Sequence, residues 1–125
     1  MNSAPYIPTP EDFKRAEQAV PERHTGLDEA SQAALDHLQP QYPIAHLQLF
    51  PHREADFHAY VFFETDAQVA ASESDGSRNV IEDAVYTAIA NAGKGTRPGI
   101  SIHFEYDSEQ NVKENFEGSY YLRMR

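Results

Sequence analysis

Apolar residues recur along this chain in two rhythms, and the switches between them outline the secondary structure. From Gly99 onward, Ile100, Ile102, Phe104 and Tyr106 alternate with Ser101, His103, Glu105 and Asp107. A period of two marks a strand with one buried and one polar face. Upstream the period changes to that of a helix. Leu27, Ala30, Ala34, Leu35 and Leu38 fall on one stripe, and Val80, Ile81, Ala84, Val85, Ala88 and Ile89 on another, as amphipathic helices require. A shorter stripe, Phe13, Ala16, Ala19 and Val20, follows Thr9-Pro10-Glu11-Asp12. That tetrad reads as an N-cap, a proline at the first helical position and acids suited to the positive helix end.

Between the helical stretches lie two further strand patterns. Ile44 to Phe50 follows Pro40 and Pro43 and is closed by Pro51. Phe57 to Glu64 is apolar in both of its alternating sets, the mark of a central strand covered on both faces. The polar turn from His52 to Asp56 makes these two an antiparallel hairpin. Residues 65–78 are polar, with Asp75-Gly76 as a turn signal and Ala67 to Ala71 open to either a short strand or a helical turn. After Tyr106, Asp107 and Gln110 have capping-box spacing, and Val112 and Phe116 share a helical face. Tyr120 to Arg125 then reads as a last strand. The expected order is α-α-β-β-α-β-α-β: an α+β fold with a mostly antiparallel sheet of about four strands packed by helices. Residues 1–9, with two prolines, form an extended arm, and residues 10–125 one domain.

Composition narrows the chemistry. Of 125 residues 40% are hydrophobic, and seven Phe and seven Tyr supply bulk for a core. With no cysteine, disulfides, thiolate catalysis and cysteine-type metal sites are excluded, which suits a reducing cytoplasm. Met1 to Pro8 has neither a basic region nor an apolar run, which argues against a signal peptide. No segment has the roughly 20 apolar residues that span a bilayer. Twenty acids against ten Lys and Arg give a net charge of −10. Such a surface repels nucleic acid and anionic membrane and is suited to a basic protein partner.

Three constellations can carry chemistry. His46, His58 and His103 sit in expected strands, with Glu105 two residues beyond His103. In the right register they would meet on one sheet face as a metal site, although no short ligand motif supports it. Glu105 and Asp107 share a strand face roughly 7 Å apart, a spacing open to acid–base chemistry. The simpler reading pairs them with Arg123 and Arg125 of a neighbouring last strand. Gly93-Lys94-Gly95 looks superficially like a phosphate loop but follows a helix instead of opening one, so it reads as a helix terminator. No Gly-x-Ser-x-Gly elbow occurs. No catalytic residue and no cofactor are assigned. Acids instead gather in two segments, and with tyrosines they make the candidate partner-binding set Glu73, Asp75, Glu82, Asp83, Tyr86, Glu105, Asp107, Glu109 and Tyr121.

The run Ile102-His103-Phe104-Glu105-Tyr106-Asp107-Ser108, continuing through Val112 and Phe116 to Tyr120, resembles the tail of small bacterial immunity-type proteins and uncharacterised relatives. The resemblance covers about a quarter of the chain and transfers no residue roles. It implies a cytoplasmic α+β protein that neutralises a toxin, often a basic nuclease. The expectation is therefore an immunity-like inhibitor. Two alternatives stand beside it: a small metal-dependent or acid–base enzyme using strand-borne His and Glu, and a module that pairs with itself, as a homodimer, through a free strand edge.

Overall fold

The computed structural model describes residues 25–53 and 55–125. The N-terminal arm and the helix expected after Pro10 lie outside them. The described elements run α1 (Leu27–Leu38), β1 (Ile44–Pro51), β2 (Asp56–Phe63), α2 (Asp66–Ser72), α3 (Ser77–Asn91), β3 (Ser101–Ser108), α4 (Glu109–Asn115) and α5 (Tyr120–Met124).

The fold is α+β, with a three-stranded sheet in the order β1-β2-β3. β1 and β2 form the expected antiparallel hairpin, with a register shift between Ile44 and His46. β2 and β3 run parallel, so the sheet is mixed, not mostly antiparallel. The reason lies in the connection. A parallel pair needs a long crossover, and α2 and α3 provide one. α2 resolves the ambiguous polar segment as a helix, opened by a capping box in which Thr65 and Gln68 bond reciprocally. α3 ends where glycine permits it: Gly93 adopts a positive φ of 74°, and Lys94 donates its amide to the Ile89 carbonyl.

One face of the sheet carries the helices. Leu47 and Leu49 of β1, Ala59 and Val61 of β2, and Ile102 of β3 pack against Leu35 and Leu38 of α1 and Ile81, Val85 and Ile89 of α3. β2 is the central strand, and its second apolar set faces the other way. Phe62, fully buried, lies outside that cluster.

The C-terminus departs from expectation. Residues 120–124 are a short helix, so among the described residues there is no fourth strand and β3 is an edge of the sheet. Ser119 caps this helix by accepting the Leu122 amide. Helical spacing puts Tyr120 and Arg123 on one side, where both reach the sheet; in a strand they would point to opposite faces. The cap of α4 also differs. Ser108, not Asp107, accepts the Asn111 amide, and Gln110 accepts the Asp66 amide instead of closing a box.

Candidate functional site

The sheet face turned away from the main core brings most of the polar strand residues together. Register sets His58 beside His103, Tyr60 beside Glu105, and Phe62 beside Asp107. On the other side of β2, Phe50, Gln48 and His46 oppose the same three residues. α4 and α5 cover one end of this face. The Tyr120 ring rests 4.6 Å from His46 and 4.8 Å from Phe62 between centroids. The other end carries His52, His58 and His103.

Arg123 organises the acidic row. Its guanidinium donates to Glu105 at 2.6 Å and also to Asp107. Asp107 takes two further bonds from the Asn111 amide group. Burial disfavours the Arg123 charge, but the bonds to Glu105 and Asp107 outweigh it and raise the pKa. The expected pairing of these acids with arginine is therefore present, delivered by a helix instead of a neighbouring strand. It runs through Arg123, whereas Arg125 is exposed. Glu105 also meets His58 Nε2 at 3.3 Å, and His58 stacks on Tyr60 at 4.5 Å. Burial, then Glu105, pushes the Tyr60 hydroxyl up, opposed by Arg123.

Of the histidines expected to converge, His58 and His103 do, and Glu105 is with them. His46 is at the covered end. The third imidazole near the pair is His52, whose ring lies 5.1 Å from His103 and 6.1 Å from His58. The signal for His52 was present in the sequence: it continues the even-numbered phase of His46, Gln48 and Phe50 past Pro51. Among the described residues, no group of three or more His, Asp or Glu side chains is arranged to hold a metal ion.

Burial lowers the pKa of His46 from its ordinary 6.5, because desolvation disfavours the imidazolium. A depressed folded-state value means that the unfolded chain binds the proton more readily. Stability therefore falls as pH drops through 6.5 toward the folded value, and rises with pH across that window. Replacing His46 with Phe is expected to flatten this part of the profile, measured by urea denaturation between pH 5 and 7.5.

The remaining candidate residues lie elsewhere. Tyr106 points to the helix side, where its hydroxyl donates to Glu82 at 2.8 Å and Arg78 sits over its ring. Burial, reinforced by Glu82, raises the Tyr106 pKa. Tyr86 accepts the Ile102 amide at 3.0 Å and lies under Arg97, which pairs with Asp83 at 2.7 Å. Asp75 accepts the Ser77 amide at the start of α3, and these bonds lower its pKa. Glu73 is exposed, 3.9 Å from Arg78. Glu109 bonds Lys113 and Tyr120, and both lower its pKa. Burial, then Glu109, pushes the Tyr120 hydroxyl up to about 12. Tyr121 is 69% exposed. The sheet thus separates Glu82, Asp83 and Tyr86 on its helix side from Glu105 and Asp107 on the other.

Between α1 and α3 lies an open groove of about 440 Å³ whose lining includes Ala33, His37, Val80, Asp83 and Thr87. Val80 is 43% exposed there. Chemically, the His58–Glu105 contact can hold and orient an imidazole, while the groove offers a small apolar floor with a carboxylate. The two lie on opposite sides of the sheet. No helix among the described residues is long and apolar enough to cross a membrane. Set against protein-family models, curated proteins and solved structures, the chain matches none of them.

Proposed function

We propose that this protein is a small acidic protein-binding domain of the cytoplasm, an immunity-like inhibitor that covers the basic surface of a bacterial toxin of the nuclease type. One observation carries the reading: the way charge is disposed. Arg78, Arg97, Lys113 and Arg123 are each paired with carboxylates of the same chain. Asp28, Glu29, Asp36, Glu64, Glu114 and Glu117 are exposed and stand in no ion pair among the described residues. Among the described residues only Arg53 and Arg125 are likewise exposed outside these ion pairs, against those six acids, so the charge left for a partner is predominantly negative. A cationic protein is the complement of such a surface, since opposite potentials steer encounter and suppress wrong partners.

The α1–α3 side is the proposed contact face. It joins a shallow apolar floor to Asp83 and to the exposed acids of α1, the combination of apolar centre and charged surround found in protein interfaces. Co-expression of the chain with the products of neighbouring genes tests this reading. A basic, toxin-like product is expected to copurify with it in stoichiometric amounts. If none of those products binds, the reading loses its basis.

A further inference from the structure

The two edges of the sheet are finished differently. Along β1, α1 and the residue after it supply partners. Ser31, buried, accepts the Leu49 amide at 3.0 Å, and the Gln39 side chain donates to the Ile44 carbonyl at 3.1 Å. Along β3, Tyr86 accepts the Ile102 amide, which shows that the Ile102 backbone points away from β2. Every second residue of an extended strand points the same way, so Phe104 and Tyr106 also turn their amides and carbonyls outward. Among the described residues, no side chain takes those two amides.

We propose that β3 pairs with β3 of a second copy of this chain, antiparallel across a twofold axis at Phe104, so that two sheets join into one. The strand reads almost as a palindrome about that residue: His103 and Glu105 flank it, then Ile102 and Tyr106, then Ser101 and Asp107. The twofold sets His103 of each copy opposite Glu105 of the other, and Ile102 opposite Tyr106. His103 is exposed. The Glu105 side chain is 40% exposed, and a carboxylate already bonded to Arg123 and His58 retains lone pairs for another imidazole N–H. Phe104 opposes itself as a pair that exchanges both backbone bonds, and the Tyr106 amide donates to the Ile102 carbonyl of the second copy. Moving the axis by one residue is worse in either direction. Centred on Glu105 it opposes two carboxylates, and centred on His103 it opposes two imidazoles without an acceptor carboxylate between them. Such a self-complementary contact closes on itself as a dimer and leaves no edge at β3 for further strands.

Sedimentation equilibrium of the full chain from micromolar to millimolar concentration tests the pairing. A reversible monomer–dimer equilibrium is expected. His103→Glu puts like charges opposite each other twice and should weaken the dimer by about tenfold or more. Phe104→Pro removes an outward donor and leaves the bonds to β2 in place, and should be monomeric. Should Phe104→Pro fail to fold, His103→Glu still decides, with its folding checked by circular dichroism. A wild-type chain that stays monomeric throughout the range overturns the proposal. So does a dimer whose affinity is unchanged in His103→Glu.

Discussion

Truncating Phe62 to Ala is expected to cost about 3–5 kcal/mol, among the largest effects of any single change in this protein. Phe62 is fully buried but lies on the sheet face away from the main helices. The C-terminal segment keeps water from it: Tyr120 meets its ring edge-on at 4.8 Å, and His46 lies 6.0 Å away. Deleting the ring leaves a cavity beneath α5, which has only five residues and no buried side chain of its own with which to collapse into it. Denaturant unfolding gives the magnitude. A cost below about 1 kcal/mol would mean that Phe62 is wet in the native protein and that α5 does not seat over it.

Removing Arg123 should be almost as severe, for an electrostatic reason. The Arg123 side chain is 18% exposed, and that of its partner Asp107 16%. Arg123→Ala leaves Glu105 and Asp107 side by side on one strand face without their shared cation. Breaking a pair in a partly buried setting costs about 2–4 kcal/mol, much of it the penalty for carboxylates left uncompensated. Arg123→Lys should recover only part of this, because an ammonium cannot present two donors as a planar fork. The decisive comparison is the triple variant with Glu105→Gln and Asp107→Asn. Neutralising both acids should restore much of the stability lost in Arg123→Ala, a strongly non-additive outcome. If the three losses simply add, Arg123 acts through packing over Tyr60 and Phe116 and not through charge.

Local patterns carried much of the architecture. The 3.6-residue stripes locate α1 at Leu27–Leu38 and most of α3, while period-two alternation locates β3, flanking prolines β1, and a run apolar in both alternating sets β2. What could not be read was pairing. β3 runs parallel to β2, and the sequence does hold a clue, because a helix between two strands is the mark of a crossover. The C-terminal segment misled for a different reason. Tyr120, Leu122 and Met124 alternate with Tyr121, Arg123 and Arg125, but five or six residues are too few to separate a strand from a helical turn by period alone. The Ser119 cap and the long-range bonds of Arg123 decide the matter. The polar face was legible in part. Alternation puts His103 and Glu105 on one face and register brings His58 to them, but the third imidazole there is His52 and not His46. Whether two acidic segments meet depends on which sheet face each occupies, and that follows only from register.

The charge disposition also predicts how a partner would respond to salt. Asp83 and the acids of α1 are solvent-exposed, so their pull on a cationic protein is screened once the Debye length falls to a few ångströms. Association should therefore slow steeply with ionic strength, while dissociation changes less.

The most direct test of the account is inhibition of a toxin-like neighbouring-gene product in a nuclease assay, with titration of the wild-type chain and of the Glu29→Lys, Asp36→Lys double variant. The account predicts stoichiometric inhibition by the wild type at low salt and at least about tenfold weaker inhibition by the variant, since rim charges act mainly on encounter. Undiminished nuclease activity at a large molar excess of the wild-type chain would contradict it, as would inhibition indifferent to both salt and charge reversal.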